Sequence, residues 1–559
     1  MADTQFRQHA ATTGIMVVTR SLAPVVGWWT CVILILLSQI NVACSSSHLT
    51  PSVIAATDRM FLESLALQGM QLSFDNTTAA TKDWGKLRHL EPAAVVYPRG
   101  VEDIATIVQA VARSESDLTI AARGLGHSTN GQAQAHNGVV IQMTAMRGIR
   151  VMPLGDGASK GAPFVEAMGG DLWVDVLKAS LEFGLAPKSW TDYLHLTIGG
   201  TLSNAGVSGQ SFRHGPEISN VLQLEVVTGK GETVDCSPTQ HPELFFATLG
   251  GLGQFGIITK ARIALEKAPQ RVRWVRALYT DFAAFRRDQE FLISAISPFD
   301  YVEGFVVANN ANPINGWSSV PFEASDISEA MIPGHAGPIL YCLEVTKAYS
   351  AADLHTIDEV VESMLAPLNF HRELLFKTDT SYFKFLDRLH ETEVQLSSRG
   401  LWDQIPHPWL NLFVPASSIE RFDMLVLKKI MTQDFSGPLL VYPLNKSKWD
   451  KRLSVAVPEG PDEIFYIVAF LRNKLPELDG GPTLSTMLED NDNILRVCEP
   501  LRCKQYLPRH QDRIQWKRHF GSKWDLFVQN KQMFDPRAIL SPGQNIFSRR
   551  RRLVQVDSV

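Results

Sequence analysis

A glycine-rich stretch directly follows a predicted strand at residues 118–122 and reads Ala122-Arg123-Gly124-Leu125-Gly126-His127-Ser128-Thr129-Asn130-Gly131-Gln132. Positive φ angles at Gly124 or Gly126 would let the backbone N–H groups form a concave anion site, to which Ser128 can add a hydroxyl donor. His127 places a nucleophilic ring nitrogen beside this loop. Taken alone, these residues favour a histidine with local hydrogen bonds over one that is bonded to a ligand.

Strand-like and helix-like segments alternate around this stretch, which predicts an α/β pattern. Residues 93–97 and 118–122 are short apolar runs typical of strands. Between them, residues 101–112 indicate a helix with Glu102 and Asp103 in its first turn. The apolar residues of this helix that recur at helical spacing are Ile104, Ile107, Val108 and Val111.

A second glycine-rich stretch, Gly251-Leu252-Gly253-Gln254-Phe255-Gly256, matches the spacing of dinucleotide-binding loops. Those loops need a strand before them and a helix after them, so that the helix N-terminus meets the pyrophosphate. Here residues 241–247 indicate a helix and residues 257–259 a strand. Because this order is reversed, the sequence argues against a nicotinamide site at this loop.

An acidic residue lies between two aromatic residues in the stretch Trp190-Thr191-Asp192-Tyr193-Leu194. A carboxylate among apolar groups is partly desolvated and can accept a proton. Asp192 can also cap a turn by accepting local backbone N–H bonds, and the residues alone favour that role.

The composition of the 559-residue chain limits its class. With 45% hydrophobic residues, it is long enough for two ordinary cores or one large divided core. A formal net charge of -5, without a basic stripe interleaved with aromatic residues, argues against nucleic acid as a partner. The cysteines have no regular spacing, so no metal site is indicated. Cys498 and Cys503 are near enough in sequence to form a disulfide, but two separate thiols are an equal alternative.

Residues 1–44 are predicted to be a targeting segment for the secretory pathway. Arg7 and Arg20 precede an apolar run that is shorter than the ~20 residues of a membrane span, and small residues follow it. Cleavage as a signal peptide is therefore favoured slightly over retention as a signal anchor. The sequon at Asn76 fits this route, and it is favoured for glycosylation over the sequon at Asn445, which has apolar and aromatic neighbours.

Taken together, these stretches are similar to the cytokinin oxidase/dehydrogenase family of plants. Matching blocks follow one another in a single order from about residue 90 to residue 547, which makes the resemblance very specific. Beyond the stretches already quoted, the blocks include Gly199-Gly200-Thr201-Leu202-Ser203-Asn204-Ala205-Gly206, Asp300-Tyr301-Val302-Glu303-Gly304-Phe305, Pro406-His407-Pro408-Trp409-Leu410-Asn411-Leu412, Lys504-Gln505-Tyr506-Leu507-Pro508 and Leu540-Ser541-Pro542-Gly543-Gln544-Asn545-Ile546-Phe547.

The resemblance implies an α+β fold of two domains, the FAD-binding PCMH or vanillyl-alcohol-oxidase-like fold. In such proteins both chain ends build the FAD domain, and an α+β substrate domain is inserted between them. A linker at residues 267–270 and a return to turn-rich sequence near residue 500 agree with this organisation. The expected limits are 1–44 for the signal peptide or signal anchor, 45–266 and 500–547 for the FAD domain, 267–499 for the cytokinin-binding domain and 548–559 for a basic tail.

The resemblance also implies covalently bound FAD. In this family the histidine of the Gly-His-Ser motif is bonded to the 8α carbon of FAD, and His127 occupies that position. One departure is Leu125, which stands where a basic or polar residue is usual; flavin loading is expected to be weaker if a charge there helps to hold the pyrophosphate. The FAD contacts are expected from Ala122, Gly124, Leu125, Gly126, Ser128, Gln132, Asp192, Thr197, Ser203, Val207, Ile258, Tyr506, Ser541 and Gln544.

Members of this family cleave the N6 side chain of isopentenyladenine- and zeatin-type cytokinins, giving adenine and an unsaturated aldehyde. A hydride leaves a carbon next to nitrogen, so a carboxylate that accepts the amine proton lowers the barrier, and Asp192 matches the family's base. Glu303 resembles the residue that receives the purine ring N–H. The candidates for an apolar slot are Trp409, Leu410, Tyr442 and residues 465–468. Core packing would explain these apolar residues equally well.

Several further expectations accompany the resemblance. The electron acceptor is expected to be a quinone or oxygen, and the protein a monomer located in the apoplast, the vacuole or the endoplasmic reticulum membrane. An alcohol or sugar oxidase of the same fold would also use His127 and FAD, and a cytokinin-binding flavoprotein would have lost turnover. The stretch at residues 190–194 favours the amine substrate. The basic run at residues 549–552 is expected to be solvated and is assigned no function.

Overall fold

The computed structural model describes residues 51–153, 161–296, 298–309, 334, 336–398, 404–431, 436–474 and 481–549. The contacts considered below lie within the compact unit Asp58–Val559. The predicted targeting segment, and the predicted basic tail beyond Arg549, fall outside the described residues. In the part of the chain that is described, no helix is both long enough and apolar enough to cross a membrane.

Helices and strands are interspersed along the chain. The strands are β1 (Leu72–Ser73), β2 (Ala94–Val96), β3 (Ile120–Arg123), β4 (Val139–Gln142), β5 (Ile149–Met152), β6 (Phe164–Met168), β7 (Leu185–Pro187), β8 (Val221–Thr228), β9 (Thr233–Cys236), β10 (Gly256–Lys267), β11 (Arg271–Tyr279), β12 (Tyr301–Ala308), β13 (Ile339–Tyr349), β14 (Leu375–Ser381), β15 (Leu410–Pro415), β16 (Leu439–Asn445), β17 (Ile464–Phe470) and β18 (Lys504–Tyr506). The α-helices are α1 (Pro51–Leu67), α2 (Val101–Arg113), α3 (Trp173–Leu181), α4 (Ile198–Leu202), α5 (Ser211–His214), α6 (Pro242–Thr248), α7 (Phe282–Ser294), α8 (Ile357–Leu365), α9 (Tyr382–Leu386), α10 (Arg388–Ser398), α11 (Ile419–Phe422), α12 (Leu484–Leu501), α13 (Arg513–Phe520) and α14 (Trp524–Phe534).

The first sheet has the strand order β1-β2-β4-β3, in which β4 is parallel to both β2 and β3. The predicted strands at residues 93–97 and 118–122 are confirmed as β2 and β3, and the predicted helix at residues 101–112 is confirmed as α2. The predicted apolar positions of α2 are all buried in the core beside this sheet. Leu540 forms a parallel bridge with Ile120, so both ends of the chain contribute to this sheet.

The second sheet is antiparallel and has the order β5-β6-β10-β8-β9, with β7 also paired to β10. Helix α6 precedes the stretch at residues 251–256 and strand β10 follows it, as predicted. The buried Lys531 ammonium donates to the carbonyl oxygen and to Oε1 of Gln254, at 3.0 Å each. These bonds hold the loop against helix α14 near the end of the chain.

The third sheet is antiparallel and has the order β14-β11-β13-β12-β16-β17-β15-β18. Because successive side chains of a strand point to opposite faces, the two faces of this sheet enter different cores. One face belongs to the same core as the second sheet. The other face packs against apolar residues of α7, α8, α11 and α12. The fold therefore combines helices and sheets as the α+β prediction requires.

The chain passes from the second sheet to the third across residues 268–270, between β10 and β11. A domain boundary was predicted at this linker. Strand β18 lies beyond the other predicted limit, at residue 499, and yet it joins the third sheet by pairing with β15. The domain limits themselves stay predictions.

Side chains in the C-terminal part bear on two of the predictions. Cys498 and Cys503 are free thiols, so they do not form a disulfide. Arg549, the first residue of the predicted solvated run, donates instead to the carbonyl oxygens of Val111, Ser114 and Leu118, at 3.0, 3.0 and 2.5 Å. A guanidinium group next to the carbonyl oxygens at the C-terminal end of α2 stabilises that helix end.

Candidate active site

The glycine-rich loop after β3 is fixed by residues 83–85. The backbone N–H of Trp84 donates to the carbonyl of Gly126 at 2.7 Å, and that of Gly85 donates to the carbonyl of Ser128 at 2.9 Å. The Asp83 carboxylate accepts bonds from Ser128 Oγ and from the backbone N–H of Gly131, at 3.1 and 2.5 Å. Gly126 has a φ of +70°, as its predicted place in an anion-binding loop requires.

Two aromatic rings stack on the imidazole of His127. Trp84 lies 4.3 Å away with an interplanar angle of 18°, and Tyr193 lies 5.3 Å away at 27°. Trp84 is itself stacked on His407 at 3.6 Å. Desolvation in this enclosed position lowers the pKa of His127 to about 4. At neutral pH the ring is therefore uncharged and has a lone pair available for bonding.

A cavity of about 300 Å³ opens beside this loop. Small-molecule sites usually have volumes on the order of 300–1,000 Å³, and this cavity lies at the lower end of that range. The cavity brings together His127 and the residues from which FAD contacts were expected. Those lining residues are Ala122, Gly124, Leu125, Gly126, Ser128, Gln132, Asp192, Thr197, Ser203, Val207, Ile258, Tyr506, Ser541 and Gln544. Trp409 and Tyr442 line it as well.

The third sheet contributes alternate residues of neighbouring strands to the cavity wall. These residues are Asn411, Leu440, Tyr442, Ile467 and Ala469. Leu410 departs from the prediction, because it projects to the opposite face and packs in the core beneath the helices. The alternation of side chains along β15 explains why Asn411 lines the cavity in its place. Of the predicted run 465–468, Ile467 alone reaches the wall.

The residues that surround the cavity fit FAD. A Cβ atom at Gly124 would overlap Thr197 Oγ1, and one at Gly253 would overlap Ser541 Oγ. The absence of side chains at these glycines lets distant segments of the chain meet around the cavity. The glycine-rich loop supplies backbone groups for a pyrophosphate, and the third sheet supplies apolar wall for a ring system.

At another part of the cavity wall, the Asp192 carboxylate is held by residues distant in sequence. Tyr301 Oη donates to Asp192 Oδ1 at 3.3 Å, and Arg388 Nη2 donates to Tyr301 Oη at 2.7 Å. Burial raises the pKa of Tyr301 well above its usual value, so the phenol keeps its proton. Asp192 thus has a hydrogen-bond partner from a distant part of the chain, which a residue that only capped a turn would not need.

Glu303 departs from the expected contact with substrate. It is 2% exposed and does not line the cavity. Burial, together with the negative charge of Asp192, raises the pKa of Glu303 well above its usual value. Arg388 Nη2 lies 3.8 Å from Glu303 Oε2. Glu303 is therefore a buried neighbour of Asp192 whose protonated form is favoured by its surroundings.

The residues of this site that the sequence analysis missed include Trp84, Tyr193, Tyr301 and Arg388. Tyr301 could have been found, because it lies two residues before Glu303 in a strand and such residues share a face. Tyr193 directly follows Asp192. Trp84 and Arg388 have no local signal, since their partners lie in distant segments.

A solved structure places this arrangement in a known class of fold. The chain is similar to a VAO-type flavoprotein of Myceliophthora thermophila, with a TM-score of 0.58, over 81% of this chain and 79% of the other. The two sequences are 13% identical, so the likeness concerns the fold alone. The protein has the fold of the VAO-type flavoproteins, which confirms the predicted fold class.

The sequence comparisons then identify the family. Residues 92–237 match the model of an FAD binding domain, and residues 269–547 match the model described as "Cytokinin dehydrogenase 1, FAD and cytokinin binding". Cytokinin dehydrogenase 1 of Arabidopsis thaliana is 47% identical over 91% of this chain and 88% of its own length. Cytokinin dehydrogenase 9 of Oryza sativa subsp. japonica is 47% identical over 87% and 92%, respectively. Cytokinin dehydrogenase 5 of Arabidopsis thaliana is 49% identical over 84% and 87%.

The chain belongs to the cytokinin dehydrogenase family, and it is an FAD-dependent oxidoreductase of cytokinin metabolism. This confirms the predicted family, the enzyme class and FAD as the cofactor, whereas the covalent linkage to FAD stays a prediction. An alcohol or sugar oxidase, or a cytokinin-binding protein without turnover, is not favoured by these relatives.

Proposed function

We propose that this enzyme cleaves the N6 side chain of isopentenyladenine- and zeatin-type cytokinins by oxidation, giving adenine and an unsaturated aldehyde. The observation that carries the proposal is the place of Asp192 on the wall of the same cavity as His127 and the glycine-rich loop. One carboxylate within reach of a bound ligand is the chemistry that amine oxidation needs, because the amine must lose a proton as its neighbouring carbon loses a hydride.

Bound FAD supplies the hydride acceptor for this reaction. Asp192 binds the N6 amine and takes its proton, and Tyr301 holds Oδ1 of Asp192 in place during that transfer. The oxidised side chain is an imine, which water hydrolyses to the two products. Glu303 acts through Asp192 and does not itself touch the substrate, since it lies off the cavity wall.

The third sheet provides the slot for the isoprenoid side chain. Trp409 and Tyr442 line the cavity, together with the apolar residues Leu440 and Ile467. Leu389, in helix α10, lines it as well. Apolar and aromatic side chains would bury an unsaturated five-carbon chain and exclude water from the reacting carbon. Leu410 has no part in this slot, because it faces the opposite core.

The covalent bond to FAD is proposed at His127. Its neutral ring, stacked between aromatic neighbours and lining the cavity, supports a bond from a ring nitrogen to the 8α carbon of the flavin. Leu125 is 44% exposed. A backbone contact from this residue to the pyrophosphate would survive the departure from the family's usual residue.

We also propose that the protein enters the secretory pathway and is glycosylated at Asn76. Asn76 is exposed, whereas Asn445 is half-buried and donates through Nδ2 to the carbonyl of Phe212 at 2.9 Å. The free amide favours Asn76 as the glycosylated residue. The enzyme is proposed to act as a monomer with a quinone-like acceptor or oxygen, in the apoplast, the vacuole or at the endoplasmic reticulum membrane.

One spectroscopic experiment tests the cofactor and the substrate together. We expect a yellow protein whose flavin stays with the polypeptide on acid precipitation and bleaches when isopentenyladenine is added without oxygen. An aromatic alcohol and a sugar, added in parallel, should leave the spectrum unchanged. Bleaching by the alcohol or the sugar alone would contradict the proposed substrate class, and persistent colour with isopentenyladenine would contradict turnover.

A further inference from the structure

Three buried ionisable residues lie side by side on the third sheet, next to Asp192. Arg276 of β11 and Glu303 of β12 are both cross-strand partners of Glu344 in β13. Directly opposed residues of neighbouring strands project to the same face of a sheet, so these side chains form one row. Arg276 is 2% exposed and Glu344 is 0% exposed, and Arg276 Nε and Nη2 both lie 2.6 Å from Glu344 Oε2.

Arg388 faces this row from the first residue of helix α10. Its Nη2 lies 3.4 Å from Glu344 Oε1 and 3.8 Å from Glu303 Oε2. Its Nη1 donates to the carbonyl of Phe385 at 3.1 Å. Arg388 is 6% exposed, so its charge is not screened by bulk water.

Tyr301 transmits the charge of Arg388 to the cavity. A guanidinium group can only donate hydrogen bonds, so Tyr301 Oη must accept the bond from Arg388 at 2.7 Å. Ser208 Oγ lies 3.5 Å from that oxygen and donates its own proton to Gln210 Oε1, at 3.1 Å. The single phenolic proton is then left for Asp192 Oδ1, 3.3 Å away. The bond from a cation into the hydroxyl polarises it and strengthens its bond to a carboxylate.

The charges of this cluster balance when one carboxyl group is protonated. Two guanidinium groups, of Arg276 and Arg388, face the carboxyl groups of Glu344, Glu303 and Asp192. Leaving all three carboxyl groups ionised would place an uncompensated negative charge in the interior, which is costly. The phenols of Tyr301, Tyr442 in β16 and Tyr506 in β18 also interact with Asp192, and they stay neutral because burial raises the pKa of each.

We propose that Arg388 is a positioning residue for the reaction: through Tyr301 it orients the carboxylate of Asp192 and keeps it ionised, while Glu303 carries the proton of the cluster. This inference rests on the proposed role of Asp192 as proton acceptor. Arg388 touches neither substrate nor flavin in this role, and it acts by the charge and the hydrogen bond that it directs at Tyr301.

The pH profile of anaerobic flavin reduction by isopentenyladenine tests the inference. Tyr301→Phe removes the hydroxyl that donates to Asp192, and Arg388→Gln removes the cation behind it. Both changes disfavour the ionised acid, so the acidic limb of the reduction rate should move to higher pH by about one unit or more. Arg388→Lys keeps the charge without the planar group, and its limb should lie between those of the wild type and Arg388→Gln.

Tyr279→Phe is the matched control. Tyr279 is buried in β11 of the same sheet and donates to the buried Asp288 at 2.8 Å, and neither residue lines the cavity. Its loss removes a comparable tyrosine–aspartate bond and should leave the acidic limb where the wild type has it. Melting temperature and flavin content of every variant, measured in parallel, register damage to the fold.

The inference is overturned if the acidic limb of the Tyr301→Phe profile stays at the wild-type pH. A uniform fall in rate without a shift of the limb would also overturn it, because a merely structural contact predicts that result. Failure of Arg388→Gln to fold would leave Tyr301→Phe as the deciding variant. Asp192→Asn separates this inference from the proposed function. If Asp192→Asn reduces its flavin normally, the role of Asp192 itself is wrong; if it is slow while Tyr301→Phe keeps the wild-type limb, Arg388 alone loses its proposed role.

Discussion

The two ends of the cavity wall are built from different interactions. Around His127, backbone hydrogen bonds of the glycine-rich loop and stacked aromatic rings predominate, and the histidine is kept neutral. Around Asp192, guanidinium and carboxyl groups are buried within a few ångströms of one another. Many weak contacts at the first end suit the retention of a cofactor. Concentrated charge at the second end suits the control of one proton, because each buried charge changes the protonation of its neighbours.

Removing His127 should produce the largest effect at the first end. His127→Ala takes away the ring nitrogen proposed to bond FAD, so acid precipitation should release all of the flavin that this variant retains. Wild-type protein should keep its flavin in the pellet, and Asp192→Asn, altered at the other end, should keep it as well. Release of the wild-type flavin by acid would show that covalent attachment is wrong.

Replacing Glu303 by Gln should have an intermediate effect at the second end. Burial and the negative charge of Asp192 raise the pKa of Glu303 and so favour its protonated form, whose size and charge the neutral amide reproduces. We expect reduction at pH 7 to slow by about tenfold or less, which corresponds to at most ~1.4 kcal/mol. Stopped-flow reduction over a range of isopentenyladenine concentrations separates binding from chemistry. If binding weakens while the reduction step stays normal, Glu303 contacts the purine directly, as resemblance to the family implied.

Truncating Trp84 should have a smaller effect, confined to the first end. Trp84→Ala removes one ring from the stack on His127, and such a contact contributes about 0.5–1.5 kcal/mol. Attachment of flavin should therefore slow by roughly two- to tenfold, as measured by acid-stable absorbance after FAD is added to flavin-free protein. Trp84→Phe keeps an aromatic ring and should attach flavin at nearly the wild-type rate. Equal rates in Trp84→Ala and the wild type would mean that the stack does not orient His127.

The smallest expected effect concerns stability at the second end. Glu217 is 1% exposed beside Thr191, and burial raises its pKa well above 4.5. The folded state then holds a proton that the unfolded state has lost, so this contribution to the free energy of unfolding is complete below pH 4.5 and falls as the pH rises toward the folded pKa. The loss amounts to about 1.4 kcal/mol per pH unit in that window.

Glu217→Gln cannot ionise and should remove this pH dependence. Its melting temperature should equal that of the wild type near pH 4.5 and exceed it by about 2 °C or more at pH 8. Glu232→Gln is the exposed control, since the Glu232 side chain is 56% exposed, and it should follow the wild type at every pH. A variant of Glu217 that is less stable than the wild type at pH 8 would show that the carboxyl group is ionised in the folded protein.

The first end was largely predictable from sequence, and the second was not. The glycine-rich loop, strand β3 and helix α2 are encoded by local patterns: glycine spacing, a short apolar run and apolar residues at helical positions. The reversed order of helix and strand around residues 251–256 was predictable for the same reason. Local signals of this kind do not depend on how distant segments pair.

The second end depends on the register of distant strands. Leu410 and Asn411 are adjacent in sequence, and only the pairing of β15 with β17 decides which of them faces the cavity. The contact of Arg388 with Tyr301 joins a helix to a strand far away in the chain. The sequence located Asp192 and Glu303 by resemblance, but it could not place Glu303 behind Asp192, because that requires the third sheet.

The rate of anaerobic flavin reduction in Asp192→Asn, at a flavin content matched to the wild type, tests the central claim most directly. Asparagine keeps the size and hydrogen bonds of the side chain but cannot take a proton, so flavin should stay attached while reduction by isopentenyladenine slows by about 10²- to 10⁴-fold. The reductive half-reaction is the step to observe, since slow reoxidation can mask the change in steady-state turnover. Reduction at a near-wild-type rate would show that another group or water accepts the proton, and would contradict the account.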